Sequence, residues 1–150
     1  MMEIIPYQIW HIEEILKKHP REYELKWATS PDWKVWLWKW KKDGPAYTVK
    51  IDDELVMCAG VIYVSKYIGE CWMVLSSLFP KYRKTCFKAI KTYLDKTMSS
   101  YGLRRLQAMV DQDFQEAHHF LIHLGFRSET PDGMKYFGPN GETMYLYGRY

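Results

Sequence analysis

The sequence predicts an α/β or α+β domain, one layer of sheet covered by helices. Three observations carry that expectation. Apolar residues switch repeatedly between a period of two and a period near 3.6; Gly, Pro and acid clusters punctuate the switches; and three strand runs follow one another in mid-chain before a long helix intervenes. The predicted order is β-α-α-β-β-β-α-β-α-β-β over residues 1–150, read as a single domain.

Met2 to Pro6 is a short apolar strand, after which Ile9, Ile12, Ile15 and Leu16 repeat at helical spacing until Lys17, Lys18 and Pro20 stop them. Ser30, Pro31 and Asp32 form a helix start, and Trp33, Trp36, Leu37 and Trp40 make an apolar stripe ending at Asp43, Gly44 and Pro45. Trp36, Trp38 and Trp40 also alternate as in a strand, but the start signal and the Gly-Pro stop favour the helix. Ala46 to Ile51 and Glu54 to Val64 are Val-, Ile- and Tyr-rich strands joined by Asp52 and Asp53, a hairpin. A turn at Tyr67, Ile68 and Gly69 leads into the run Glu70 to Leu75, which extends the hairpin into an antiparallel meander.

In the next helix Phe87, Ile90, Tyr93, Leu94 and Met98 line one face, with Lys88, Lys91, Asp95 and Lys96 opposite; Tyr101 and Gly102 end it. Leu106, Ala108 and Val110 alternate with Arg105, Gln107 and Met109 in a fifth strand. Phe114, Ala117, Leu121 and Leu124 mark a last helix that stops at Gly125. Met134 to Phe137, a turn at Gly138 to Gly141, and Thr143 to Tyr150 read as a terminal hairpin.

Composition bounds the function classes. With 150 residues, 47% hydrophobic and 26% charged, the chain is long enough to bury roughly 70% of its unfolded surface without disulfides or metal. A net charge of +3 is too mild to argue for nucleic acid, although Lys34, Lys39, Lys41 and Lys42 form one cluster and Lys81, Arg83, Lys84, Lys88 and Lys91 another. Cys58, Cys71 and Cys86 have no C-x-x-C spacing and read as reduced cysteines, two of them in buried strands. Neither a signal peptide nor a membrane span is read from the sequence, so a cytoplasmic protein is expected, with no membrane partner. His119 and His123 are four apart on one helix, but no third ligand accompanies them and no metal site is assigned.

The region from Gly69 to Phe126 carries most of the chemistry: an acid-headed strand, a basic loop, a helix, a strand and a helix. That order sets a helix N-terminus beside a strand end, where a phosphate-bearing cofactor can be held. The run Gly69-Glu70-Cys71-Trp72-Met73-Val74-Leu75-Ser76 and the ending Leu124-Gly125-Phe126 resemble the fourth strand and the last helix of the GNAT superfamily of acyl-coenzyme A-dependent N-acyltransferases. With the strand Leu103-Arg104-Arg105-Leu106-Gln107-Ala108, they also resemble small bacteriophage GNAT-like proteins, including the internal virion protein A group.

The resemblance implies acetyl-coenzyme A as donor and an amine as acceptor, with Glu70 at the general-base position. It implies cofactor contacts from Val74, Leu75 and Ser76, whose backbone N–H groups would face the thioester carbonyl, and from Lys81, Arg83, Lys84, Thr85 and Cys86 at the pyrophosphate loop. The sequence departs from the family at the loop glycines, where Cys86 and Lys88 stand if Arg83 begins the pattern, and Lys84 and Cys86 if Lys81 does. It departs again at the usual proton-donor tyrosine, which is Leu121, and at the frequent Asn of the last helix, which is Phe114. His118, His119 and Tyr93 are the candidate substitutes. Two readings follow: an N-acyltransferase-like protein, or a GNAT-fold phage protein acting by binding to a virion or host component, located in the host cytoplasm or the virion.

Overall fold

In the computed structural model, which describes residues 1–150, the alternating and helical apolar patterns settle into seven strands and five α-helices. These are β1 (Met2–Pro6), α1 (Ile9–Lys18), α2 (Glu22–Trp27), α3 (Trp33–Lys42), β2 (Ala46–Ile51), β3 (Glu54–Ser65) and β4 (Ile68–Leu75). A 3₁₀ turn (Phe79–Tyr82), α4 (Arg83–Tyr101), β5 (Arg105–Asp111), α5 (Gln115–His123), β6 (Arg127–Ser128) and β7 (Met144–Arg149) follow. The strands lie in one mixed sheet of order β1-β2-β3-β4-β5-β7-β6. Pairs β1–β2, β2–β3, β5–β7 and β6–β7 are antiparallel, and β4–β5 is parallel.

Most expected elements form where the pattern put them, and each difference has a local cause. Helix α2 is an addition: six residues, too short to show an apolar stripe. The residues expected as the first arm of a terminal hairpin make only an isolated bridge, Met134 to Met144, and β7 takes Arg127–Ser128 as its partner instead. Ile68 and Gly69 belong to β4 rather than to the turn before it. Cys71 is half-buried, whereas Cys58 and Cys86 are fully buried.

By contacts the chain divides into two units, Met1–Tyr63 with Cys71–Ile90, and Val64–Glu70 with Lys91–Tyr150. In the first, Tyr7, Ile12 and Ile15 pack with Leu37 and Trp40 of α3, Leu55, Cys58 and Ile62 of β3, and Val74 of β4. The tryptophans bind this core together: Trp40 stacks on Trp72 with centroids 4.2 Å apart and on Trp27 at 5.3 Å, and Tyr7 meets Trp72 edge-on at 5.3 Å. Each such pair contributes about 0.5–1.5 kcal/mol beyond area burial. In the second unit the buried residues include Leu106, Ala108 and Val110 of β5, Phe120 and Leu121 of α5, and Tyr147 of β7.

Candidate functional site

Glu70 sits half-buried on β4 at the last rung of the parallel ladder, where it is the partner of Gln107. That register brings the two side chains together. The Gln107 amide Nε2 donates to Glu70 Oε1 at 3.3 Å, while its Oε1 accepts from Arg105 Nε at 3.1 Å. Arg105 is fixed in turn by a two-pronged pairing with Glu129, whose carboxyl is held below its ordinary range by hydrogen bonds from that guanidinium. Gly148 of β7 makes room for the pair, since a Cβ there would lie 2.8 Å from Glu129 and 2.9 Å from Arg105. Glu70 is therefore the end of a four-residue polar chain, oriented but partly open to solvent. The sequence singles out Glu70 but not its three neighbours; the polar alternation of β5 places Arg105 and Gln107 on one face, but nothing local indicates Glu129.

The other expected contacts cluster between the end of β4 and the start of α4, and here the backbone differs from expectation. Leu75 N–H donates to Oε2 of Glu24, at 3.1 Å, and Ser76 N–H donates to the carbonyl of Val56 at 3.0 Å. Ser77 N–H goes to His19 O at 2.9 Å, Leu78 N–H to Ser76 Oγ at 3.2 Å, and Phe79 N–H to Ser76 O at 3.1 Å. Pro80 has no N–H, and that of Lys81 goes to Leu78 O at 3.2 Å. The N–H groups of Leu75 and Ser76, expected to face a thioester carbonyl, are thus engaged within the protein, and the side chains of Val74, Leu75 and Ser76 are buried.

Glu24, on the helix that the sequence did not reveal, is the cause at Leu75. Its residue is 3% exposed, and Arg21 Nε lies 3.5 Å from its Oε1. A buried carboxylate survives when it is paired and hydrogen-bonded, and an Arg plus a backbone N–H supply both.

The pyrophosphate-loop positions also differ. The 3₁₀ turn runs straight into α4 at Arg83, so Arg83, Lys84, Thr85 and Cys86 lie within the helix rather than in a loop before it. Cys86 is fully buried in the first turn of α4, its thiol pushed up to about 11 by burial, and Lys88 lies beyond that turn, where amides bond within the helix. Side-chain charge is available to an anion here: Lys81, Arg83 and Lys84 are exposed beside exposed Thr85. Lys81 Nζ lies 5.3 Å from the Tyr82 ring centroid. A phosphate-bearing donor fits these cations.

The proton-donor candidates do not converge on Glu70. Leu121 is 4% exposed, and its carbonyl accepts from Phe126 N–H at 3.0 Å in the cap of α5. His118 has both nitrogens occupied: Nε2 donates to the Asp111 carbonyl at 3.0 Å, which leaves Nδ1 to accept from the Tyr147 hydroxyl at 2.7 Å. His119 is exposed, and His123 Nδ1 donates to the carbonyl of His119 at 2.7 Å. Tyr93 is half-buried on α4. No group of three or more His, Cys, Asp or Glu is placed to hold a metal ion.

Solved structures share this architecture over nearly the full chain. An acetyltransferase from Streptococcus agalactiae aligns with TM-score 0.72 and 16% identity, covering 99% of this chain and 97% of that one. RimL, a ribosomal L7/L12 alpha-N-protein acetyltransferase in complex with coenzyme A, aligns with TM-score 0.73 and 12% identity, covering 99% and 93%. A chimera of the spermidine N-acetyltransferase SpeG from Vibrio cholerae and hSSAT aligns with TM-score 0.67 and 12% identity, covering 98% and 95%. No family model matches the sequence, and no curated protein matches it. At these identities the likeness establishes the fold: the chain has the fold of the GNAT acetyltransferases.

Proposed function

We propose that this chain is an N-acyltransferase-like protein that uses an acyl-coenzyme A donor, acetyl-coenzyme A by resemblance, and an amine acceptor. The single observation that carries the reading is Glu70, an acid held by Gln107 on the fourth strand of a GNAT fold. In that role Glu70 accepts the proton that an ammonium must lose before it attacks an acyl carbon. Lys81, Arg83 and Lys84 would hold the donor's phosphates, and the donor would supply the activated thioester.

A second reading has its own support: a GNAT-fold protein that binds without transferring. The engaged amides from Leu75 to Lys81, the buried Cys86 and the apolar Leu121 all favour it. The phage-virion form of this reading rests on the sequence motifs alone, and the acetyltransferases aligned above lend it nothing.

Thermal unfolding with acetyl-coenzyme A separates the two. A ligand at a hundred times its dissociation constant adds about 2.7 kcal/mol to stability. The acyltransferase reading expects that stabilisation, weakened in the Arg83→Ala/Lys84→Ala double variant, and thiol release in the presence of spermidine or a peptide N-terminal amine. Glu70→Gln should keep binding and lower the release rate. No stabilisation at millimolar donor overturns the reading, and an unchanged rate in Glu70→Gln removes Glu70 from it.

A further inference from the structure

Helix α3 is built with two incompatible faces. Leu37 and Trp40, 2% and 9% exposed, turn inward, while the opposite side leaves Val35 at 65% and Trp38 at 67%, and Trp36, expected in the inward stripe, stands 43% exposed at its edge. Four of its ten residues are lysines and none is acidic. Lys41 is committed to the fold, its ammonium donating to the Tyr7 carbonyl at 2.8 Å. Lys34, Lys39 and Lys42 are exposed around the apolar patch.

We infer that this outer face of α3 is a docking surface for an anionic phospholipid bilayer, which α3 meets lying flat in the headgroup layer. No helix of the chain is long and apolar enough to cross a membrane, so the contact is peripheral. The charge is complementary: a helix carrying only cations meets a surface carrying lipid phosphates. The apolar part is complementary as well, since Trp prefers the boundary between headgroup and acyl chain, and lysine stems lie along apolar surface with their ammonium groups in the phosphate layer. Single-stranded nucleic acid is the weaker match. Base stacking needs open ring faces, yet Lys39 already lies 5.5 Å over the Trp36 ring and Val35 has no ring to offer.

The test is co-sedimentation of the intact protein with sucrose-loaded vesicles, either phosphatidylcholine alone or phosphatidylcholine with a quarter phosphatidylglycerol. The expected result is binding to the mixed vesicles only, abolished near molar salt. Lys39→Glu/Lys42→Glu should weaken it roughly 25-fold or more, at roughly fivefold per lysine lost. Trp38→Ala should weaken it while retaining the salt dependence. All three positions are exposed, so circular dichroism and the melting temperature should match the parent and exclude unfolding as the cause. Binding no stronger to mixed than to neutral vesicles overturns the inference. So does an unchanged affinity in the double lysine variant, preference for polyuridylate over mixed vesicles, or self-association through this face.

Discussion

Glu24 decides more about the candidate site than any residue the sequence singled out. A glutamate on a six-residue helix gives no pattern to read, and its partner Leu75 is 51 residues away. Its burial beside Arg21 makes it a group whose removal takes the acceptor from the Leu75 N–H and a carboxylate from beside the Arg21 guanidinium. Glu24→Ala should therefore cost about 3 kcal/mol in chemical denaturation, as breaking one side of a buried pair does. Glu24→Gln retains an acceptor oxygen for Leu75 and should cost less than Glu24→Ala; equal losses would mean that the hydrogen bond to Leu75 contributes nothing. Glu70, by contrast, was legible because a motif marked it, whereas Gln107, Arg105 and Glu129 are joined to it by strand pairing that no local pattern encodes.

At the scale of elements, the ending Leu124-Gly125-Phe126 shows what a motif reports. Gly125 has φ +93°, its N–H donates to Ile122 O at 3.1 Å, and Phe126 N–H donates to Leu121 O at 3.0 Å. That is a Schellman cap, closed by the buried side chains of Leu121 and Phe126. The motif therefore has a complete structural explanation as a helix stop, independent of acyl transfer. A Cβ at Gly125 would meet only Arg149 Nε, at 3.4 Å, so the cost of Gly125→Ala is backbone strain. It should lower stability by about 1–2 kcal/mol without altering secondary structure; no loss in a urea titration would mean that the cap is not held in solution. The β2–β3 hairpin was legible for the same kind of reason. Asp52 and Asp53 take φ 49° and 66°, the type I′ geometry that their residue type tolerates. Gly is better still at such a position, and Asp53→Gly should raise the urea midpoint. The short β6 lacked any such signal: two residues carry no alternation, and the Gly-rich segment before β7 made a nearer partner look more natural.

For the whole molecule, the order of elements along the chain and most helix positions followed from periodicity, because apolar spacing reports which face is buried whatever the protein does. Chemistry did not follow in the same way, since a fold is shared by catalysts and binders alike. Stability as a function of pH tests whether the core is assembled as described. His11 is 1% exposed, and its Nδ1 accepts from Gln8 N–H at 3.0 Å and lies 2.7 Å from the Thr48 hydroxyl. Since Nδ1 accepts, Thr48 donates to it, and the Cys58 thiol, pushed up to about 12 by burial, lies 3.3 Å from Thr48 Oγ1. A proton on Nδ1 would face these donors, and burial holds the imidazole below its ordinary range, with Lys41 and Lys50 acting in the same sense against Glu14. The sign is then fixed: the unfolded chain takes up a proton near pH 6.5, the folded chain resists it, and stability falls as pH drops below that value. Urea midpoints should accordingly be highest above pH 7 and decline between pH 6.5 and 5. In His11→Asn that decline should flatten, because an amide oxygen can accept from Gln8 or Thr48 without titrating. A parent midpoint that stays level over this range, or a variant that declines as steeply as the parent, would show that His11 does not occupy the buried, two-donor setting on which α1 and β2 are joined.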